Sequence, residues 1–157
     1  MIRRCTLVSV GKPKGWAAEA SKDYTSRLRR YFPVNVFEVA EEDMNRRSHK
    51  EVLSVEGERI LKRLPKEAYV ISLDREKGKQ HPSERLALKL EDLGASGRSH
   101  VAFVIGGPLG LSPDVLRRSN ELWSLGSITL PHALARVVLL EQLYRAEKMH
   151  RNEKYHW

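Results

Sequence analysis

A strand, a glycine-rich turn and the start of a helix follow one another in residues 101–114, whose sequence is VAFVIGGPLGLSPD. The apolar run 101–105 is bounded by glycines and predicts a buried strand. Ser112, followed by Pro113 and Asp114, has the residue order of a helix N-cap, a first-turn proline and a first-turn acid. The glycine turn therefore follows the carboxyl end of a strand, where open parallel sheets bind their ligands.

A second segment with the character of a ligand wall covers residues 124–132, with the sequence SLGSITLPH. Its residues are small or apolar and carry little charge, which is unusual for a loop at the surface. We expect this segment to offer backbone groups and aliphatic side chains to a ligand.

The longest predicted helix covers residues 133–149 and is largely apolar. A long apolar face is formed at helical spacing by Leu134, Val137, Val138, Leu140, Leu143 and Tyr144. Arg136, Glu141 and Arg145 interrupt that face and are expected to lie near one another. An Arg and a Glu four residues apart usually form a weak surface pair, but the apolar surroundings make a buried intersubunit role equally open.

The totals place the chain among small basic proteins. Its 157 residues suffice for one domain with a hydrophobic core and leave little room for a second. The chain has 28 Lys and Arg against 20 Asp and Glu, a formal net charge of +8. This excess favours a polyanionic partner, most simply a nucleic acid; the alternative is a basic protein that is merely soluble.

Cysteine content and hydropathy further limit the classes of protein to which the chain could belong. Cys5 is the only cysteine, so neither an intrachain disulfide nor a cysteine-based metal site is possible, and no metal is predicted. We expect Cys5 to pack in the first strand. No apolar run is long enough to span a membrane or to form a signal peptide, so the expected compartment is the cytoplasm.

Strands and helices alternate along the chain. Strands are predicted at 5–10, 33–39, 68–74 and 101–105, and helices at 16–31, 51–64, 82–93 and 133–149. This alternation predicts an α/β domain with a largely parallel sheet. Right-handed crossovers would bring Leu73 and Gly106 to the same edge of the sheet, where the segment 124–132 could join them around a pocket.

The helix at 16–31 combines an apolar and a basic face. Its expected apolar face consists of Trp16, Ala20, Tyr24 and Leu28, which are spaced four residues apart. The basic residues on the other side could contact RNA phosphates or simply face solvent.

The glycine turn 106–110 differs from the two common nucleotide-binding motifs. Its glycines lack the spacing of the dinucleotide fingerprint, and no lysine and hydroxyl follow the last glycine as in the phosphate loop. The glycines could simply make a tight turn. If they bind a ligand, a bulky and weakly charged cofactor held by backbone contacts fits best, such as S-adenosylmethionine.

Several ordered blocks resemble the ribosomal RNA large subunit methyltransferase H family, which belongs to the SPOUT superfamily of knotted methyltransferases. The blocks are GGPLGLS at 106–112, SITLPH at 127–132, RVVLLEQLYRA at 136–146 and the closing Tyr155 and His156. The turn at 10–12 and the pair Glu56-Gly57 also fit, so the resemblance spans the chain, although its distinctive motifs follow Leu73.

The resemblance implies a SPOUT-type α/β knot: one domain over residues 1–157, with a C-terminal trefoil knot that binds the cofactor at about 68–157. It implies a homodimer whose active site draws on both chains. The implied reaction transfers a methyl group from S-adenosylmethionine to N3 of a pseudouridine in 23S ribosomal RNA. The implied cofactor contacts are Leu73, Gly106, Leu125, Gly126, Ser127, Ile128, Thr129 and Leu130.

The catalytic candidates are His156, Glu141, Arg145 and Tyr155. The acceptor nitrogen must lose a proton, and we expect His156, or else Glu141, to assist its removal. Arg145 could bind RNA phosphates or hold the dimer through Glu141, and Tyr155 could stack on the target base. Because the protein is small, it is expected to need the assembled large subunit or ribosome as its substrate.

Two other functions remain open at this point. The chain could be a noncatalytic RNA-binding or ribosome-associated factor that has kept the fold, or a SPOUT methyltransferase that acts on another RNA. Saturable binding of S-adenosylmethionine would distinguish an enzyme from a pure binder.

Overall fold

A six-stranded sheet forms the centre of the computed structural model, which describes residues 1–155 of the chain. The strands are β1 (Arg4–Val10), β2 (Val34–Val39), β3 (Tyr69–Leu73), β4 (Lys79–Gln80), β5 (His100–Ile105) and β6 (Glu121–Ser124). Their order across the sheet is β2-β1-β5-β3-β6-β4, and every neighbouring pair is parallel. The predicted α/β fold with a parallel sheet is confirmed.

Helices connect the strands, and two of them begin where the sequence places a capping serine. The helices are α1 (Gly15–Leu28), α2 (His49–Arg63), α3 (Ser83–Ala95), α4 (Pro113–Arg118) and α5 (His132–His150). The predicted N-cap Ser112 accepts a hydrogen bond from the backbone N–H of Val115. Ser48 caps α2 by accepting from the backbone N–H of Glu51, and its hydroxyl donates to the Glu51 carboxylate.

Hydrophobic clusters cover both faces of the sheet, and β5 takes part in both. Phe103 and its neighbours two positions away pack with the leucines of α1, α3 and α5. Ala102 and Val104 face the opposite side, where they pack with residues of α2 and α4. An uninterrupted apolar sequence is what a parallel strand buried on both faces requires.

The expected burial of Cys5 is confirmed. The thiol lies in β1 with no exposed surface, and burial raises its pKa to about 12. Within residues 1–155, no helix combines the length and apolar character needed to cross a bilayer. The trefoil knot and the boundary at residue 68 stay predictions.

Two strands were not anticipated, and both are short and lie toward one edge of the sheet. β6 covers only Glu121–Ser124 and begins with a charged residue, and β4 covers only Lys79–Gln80. Such short polar segments lack the apolar run from which buried strands are recognised.

The buried face of α1 also differs from the prediction. Trp16 is 64% exposed, whereas Ala17, Ser21 and Leu28 are buried. The small side chains of Ala17 and Ser21 form the buried stripe, which places Trp16, about 100° away around the helix, toward solvent.

Helix α2 approaches α4 closely at Gly57. A Cβ atom at Gly57 would overlap the hydroxyl of Ser112 and lie 2.9 Å from its Cβ. Ser112 is only 4% exposed and caps α4, so it has little freedom to move aside.

We therefore expect Gly57→Ala to lower the free energy of unfolding by about 1–2 kcal/mol, because the overlap and the displaced cap outweigh the better helix propensity of alanine. Ser54→Ala, at an exposed position of the same helix, should change stability by less than about 0.5 kcal/mol. Urea denaturation of both variants measures the difference. A Gly57→Ala protein as stable as the wild type would contradict the close approach.

Candidate active site

The carboxyl ends of three neighbouring strands lie side by side. In the register of the sheet, Leu73 at the end of β3 is paired with Ile105 of β5 and with Trp123 of β6. Leu73 and Gly106 therefore lie at the same edge, as the crossover rule predicts, with the segment after Ser124 beside them. Because adjacent strands are about 4.8 Å apart, these three ends fall within the span of one small ligand.

The glycine turn folds tightly over the end of β5. The backbone N–H of Gly110 donates to the carbonyl of Gly107 at 3.0 Å, and Gly110 has a φ of +88°. A Cβ at Gly106 would lie 2.6 Å from the Gly110 carbonyl oxygen. Close backbone packing thus accounts for both Gly106 and Gly110, and a ligand-binding role for Gly106 stays a prediction.

The loop after β3 holds the ligand-wall segment in place. Arg75 donates to the carbonyl of Ser127 at 3.1 Å, and the Ser124 hydroxyl is 3.1 Å from the carbonyl of Arg75. The turn itself is closed by Asp74, whose side chain accepts the backbone N–H groups of Glu76 and Lys77. No signal in the sequence indicates this role of Arg75, because its partners lie about 50 residues further along the chain.

Residues 125–130 present aliphatic side chains at the sheet edge, together with a glycine in a conformation that favours glycine. Ile128 is 70% exposed and Leu125 is 36% exposed. Gly126 has a φ of +128°, a backbone conformation that residues other than glycine rarely adopt. Its N–H donates to the Ser124 hydroxyl. The segment has the composition of a wall for an apolar or aromatic ligand.

A cavity of about 260 Å³ adjoins this wall. Its lining comes from β4 and the start of α3, from the end of β6 and the wall that follows it, and from the middle of α5: Gln80, His81, Pro82, Ser83, Leu86, Trp123, Ser124, Leu125, Gly126, Val138, Leu139 and Gln142. Of the predicted cofactor contacts, Leu125 and Gly126 line this cavity. Leu73, Gly106 and Ser127 to Leu130 lie outside its lining, along the same edge or in the continuing wall.

Three of the four catalytic candidates belong to one polar network. Gln142, in the cavity lining, accepts from the Ser83 hydroxyl and donates to Glu141 at 2.7 Å. The other oxygen of Glu141 accepts from Arg145, whose guanidinium lies 4.9 Å from the centre of the Tyr155 ring. The predicted Glu141–Arg145 pair is therefore present and connects the cavity with the C-terminal segment.

Tyr155 is fixed by aromatic contacts. Its ring meets that of Tyr144 edge-on, with centroids 5.0 Å apart, and its hydroxyl is 3.4 Å from that of Tyr24. Burial raises the pKa of Tyr155, as do hydrogen bonds with Tyr24 and Glu141. The hydrogen bond to Glu141 likewise raises the pKa of Arg145. At neutral pH the phenol is therefore protonated and the guanidinium charged. His156 lies outside the described residues.

Arg136 does not join this network, contrary to expectation. Its side chain is 4% exposed, lies 3.2 Å from the carboxylate of Glu38, and donates to the carbonyl of Gly11. Burial lowers the pKa of Arg136, and Glu38 opposes that shift. Positions 136 and 141 are separated by about 140° around a helix, so Arg136 faces β1 and β2 instead.

The neighbouring His132 makes a similar connection. Its Nε2 atom is 3.6 Å from a carboxylate oxygen of Glu41, which follows β2. The first two turns of α5 are thereby joined to the carboxyl ends of β1 and β2. Glu38 is a charged residue within the sequence of a strand, and this signal could have predicted a buried cationic partner such as Arg136.

Known proteins resemble this chain over its whole length. A family model described as "Predicted SPOUT methyltransferase" matches residues 3–156. A protein named ribosomal RNA large subunit methyltransferase H from Rubrobacter xylanophilus is 64% identical over 158 aligned positions, which cover 100% of each chain. A protein of the same name from Listeria monocytogenes is 45% identical, with 96% of this chain and 97% of its own covered.

Solved structures agree in fold. A protein from Haemophilus influenzae described as a "probable methylase family protein" superimposes with a TM-score of 0.53 at 14% identity, covering 98% of this chain and 70% of the other. One from Neisseria gonorrhoeae gives a TM-score of 0.54 at 12% identity, with coverage of 92% and 82%. Together with the family model and the full-length relatives, this places the chain in the SPOUT methyltransferase family and, within it, among the ribosomal RNA large subunit methyltransferase H proteins.

Proposed function

We propose that this methyltransferase uses S-adenosylmethionine to methylate N3 of a pseudouridine in 23S ribosomal RNA. The observation that carries the proposal is the meeting of the β3 end, the glycine turn and the wall 125–130 at one sheet edge, beside a cavity. The relatives of matching length, named as ribosomal RNA large subunit methyltransferases, support the choice of substrate.

The residues at this edge suit the proposed cofactor. Exposed Leu125 and Ile128 offer an aliphatic surface to a purine ring or a thioether chain, and the neighbouring backbone offers donors and acceptors. The cavity of about 260 Å³ is slightly smaller than typical ligand pockets of about 300–1,000 Å³, so part of the cofactor would lie against the open wall. When bound, the cofactor would supply a methyl group from a positively charged sulfur, and the neutral thioether that remains is a good leaving group.

The chain itself must position the acceptor and accept the proton that leaves N3. Both oxygens of Glu141 already accept hydrogen bonds, one from Gln142 and one from Arg145. That arrangement supports a positioning role for Glu141 and leaves His156 as the proposed proton acceptor. Tyr155, directly before His156, is held by Tyr144 and Arg145 and would limit where the imidazole can reach.

We further propose a homodimer that acts on assembled large subunits or ribosomes in the cytoplasm. The high exposure of Ile128 in a single chain indicates a wall that a second copy could close, which would exclude water from the reacting groups. With a net charge of +8 and 157 residues, the protein has charge enough to bind RNA but little surface with which to read a sequence.

The proposal predicts methyl transfer from labelled S-adenosylmethionine to one pseudouridine of 23S RNA. Free 23S RNA, large subunits and whole ribosomes should be compared, each with and without that pseudouridine, and the label mapped. We expect label only in particles that contain the pseudouridine. Label at another nucleotide, or equal label without the pseudouridine, would overturn the proposed substrate.

Cofactor binding should depend on Gly126. Gly126→Ala forces a side chain onto a backbone with a φ of +128°, although open space surrounds it. Gly97→Ala is a matched control, since Gly97 has a φ of +81° and equally open space, but lies between α3 and β5 at the opposite edge of the sheet. The free segment of Gly126→Ala would relax from about 1–3 kcal/mol of strain, and binding would have to restore the strained conformation. Calorimetry should therefore show about a 10-fold weaker affinity for S-adenosylmethionine in Gly126→Ala and unchanged affinity in Gly97→Ala.

Turnover should depend on His156 far more than cofactor affinity does. We expect His156→Ala to lower kcat about 100-fold or more, as for the loss of a general base, while the Kd for S-adenosylmethionine changes less than about twofold. His150→Ala, at an exposed position near the end of α5, serves as the control and should retain wild-type kcat. An equal loss of turnover and affinity in His156→Ala would exclude the assigned role.

A further inference from the structure

We propose that Trp16, together with Lys12 and Lys14, forms a docking surface for unpaired nucleotides of the substrate RNA. We call these three residues the Trp16 platform. The inference rests on the proposed function in taking ribosomal RNA as the substrate, and it assigns a contact for the nucleotides around the target.

The exposure of Trp16 is the first observation. Trp16 is 64% exposed, although tryptophan side chains are highly buried on average. Among the large apolar side chains of residues 1–155, only Ile128 of the proposed cofactor wall is more exposed. An indole that is exposed to solvent contributes little hydrophobic stabilisation to the fold. A partner that covers the ring would gain that free energy on binding.

The charges around Trp16 are the second observation. Lys12 and Lys14 are both exposed, and within the described part of the chain neither forms an ion pair. The segment 11–16 contains no acidic residue. Across the fold, the carboxylate of Glu41 lies against Gly11 and faces His132. Along α1, the first acidic residue is Glu19, three residues after Trp16.

The platform has a fixed position in the fold. Pro13 is buried, and Gly11, with a φ of +84°, receives a hydrogen bond from Arg136 and lies against the ring of His132. The segment between β1 and α1 is therefore attached to the start of α5. A platform held in place loses little conformational entropy on binding.

The platform also lies at the edge that carries the proposed active site. It follows the carboxyl end of β1, and β1 is the direct neighbour of β5. Val10, the last residue of β1, lies against Gly107 of the glycine turn. With strands about 4.8 Å apart, the end of β1 is about 10 Å from that of β3 and about 14 Å from that of β6, which precedes the proposed cofactor wall. RNA that extends from the platform along this edge would therefore reach the wall.

The chemistry favours RNA over a protein partner. An exposed aromatic ring flanked by free lysines matches a base that stacks and phosphates that pair with cations. The centre of a protein interface is instead depleted in lysine. Unpaired nucleotides are favoured over a duplex, because the faces of paired bases are already stacked and cannot cover the indole.

Equilibrium binding of labelled RNA tests the platform. Wild type, Trp16→Ala and Trp16→Phe should be titrated against a fluorescein-labelled oligouridine and against an RNA duplex of the same length. Stacking of a single base predicts that Trp16→Ala binds the oligouridine about 5-fold to 150-fold more weakly. Trp16→Phe should retain most of the affinity, and duplex binding should change little. Replacing Lys12 and Lys14 by Gln should make the slope of log K against log[salt] less negative by about 0.7 per lysine.

Leu88→Ala provides the control, since Leu88 is 50% exposed on α3, outside the platform, and its removal should leave RNA binding unchanged. Wild-type affinity for oligouridine in Trp16→Ala would overturn the proposal. So would a lower sedimentation mass of that variant, which would assign Trp16 to a contact with a second copy. A wild-type protein that fails to methylate pseudouridine would refute the proposed function, while the binding measurement would still decide the platform.

Discussion

The ion pair between buried Arg136 and partly exposed Glu38 fixes the start of α5 to the sheet. A guanidinium that is 4% exposed needs a counter-charge beside it, because an unpaired charge in the interior strongly destabilises a protein. Glu38 and the carbonyl of Gly11 supply that compensation. The first turns of α5 are thereby fixed to β1 and β2, on the far side of β5 from β6.

This attachment fixes one end of the proposed cofactor wall. The segment 125–131 connects β6 to α5 and contains no regular structure of its own. At its start, Ser124 and Ser127 are held by Arg75 from the loop after β3; at its end, α5 is held by Glu38. A segment fixed at both ends can expose Ile128 to solvent and still present a defined surface, which is the condition for a preformed binding site.

Much of the fold could be predicted because its signals are local. The apolar sequence of β5, the capping order at Ser112 and the four-residue separation of Glu141 and Arg145 each depend on neighbouring residues, and the structure agrees with all three. The missed features depend on residues far apart in sequence. Gln142 is hydrogen-bonded to Ser83, and Arg136 is paired with Glu38. Trp16 is exposed because Ala17 and Ser21 form the buried face of α1. β6 was missed for a different reason, since four residues carry too little pattern.

The strand order has a consequence for how the protein forms. β1 is paired on one side with β2, which follows it directly, and on the other with β5, where Arg4 is paired with His100. β5, which contributes side chains to both hydrophobic clusters, is the fifth strand to leave the ribosome. Until residue 105 has been synthesised, neither hydrophobic cluster can be completed, and one edge of β1 has no partner strand. Apolar strands of the nascent chain therefore stay unpaired during most of its synthesis. Sheets built from such distant pairings fold slowly and depend on protection from aggregation while they wait.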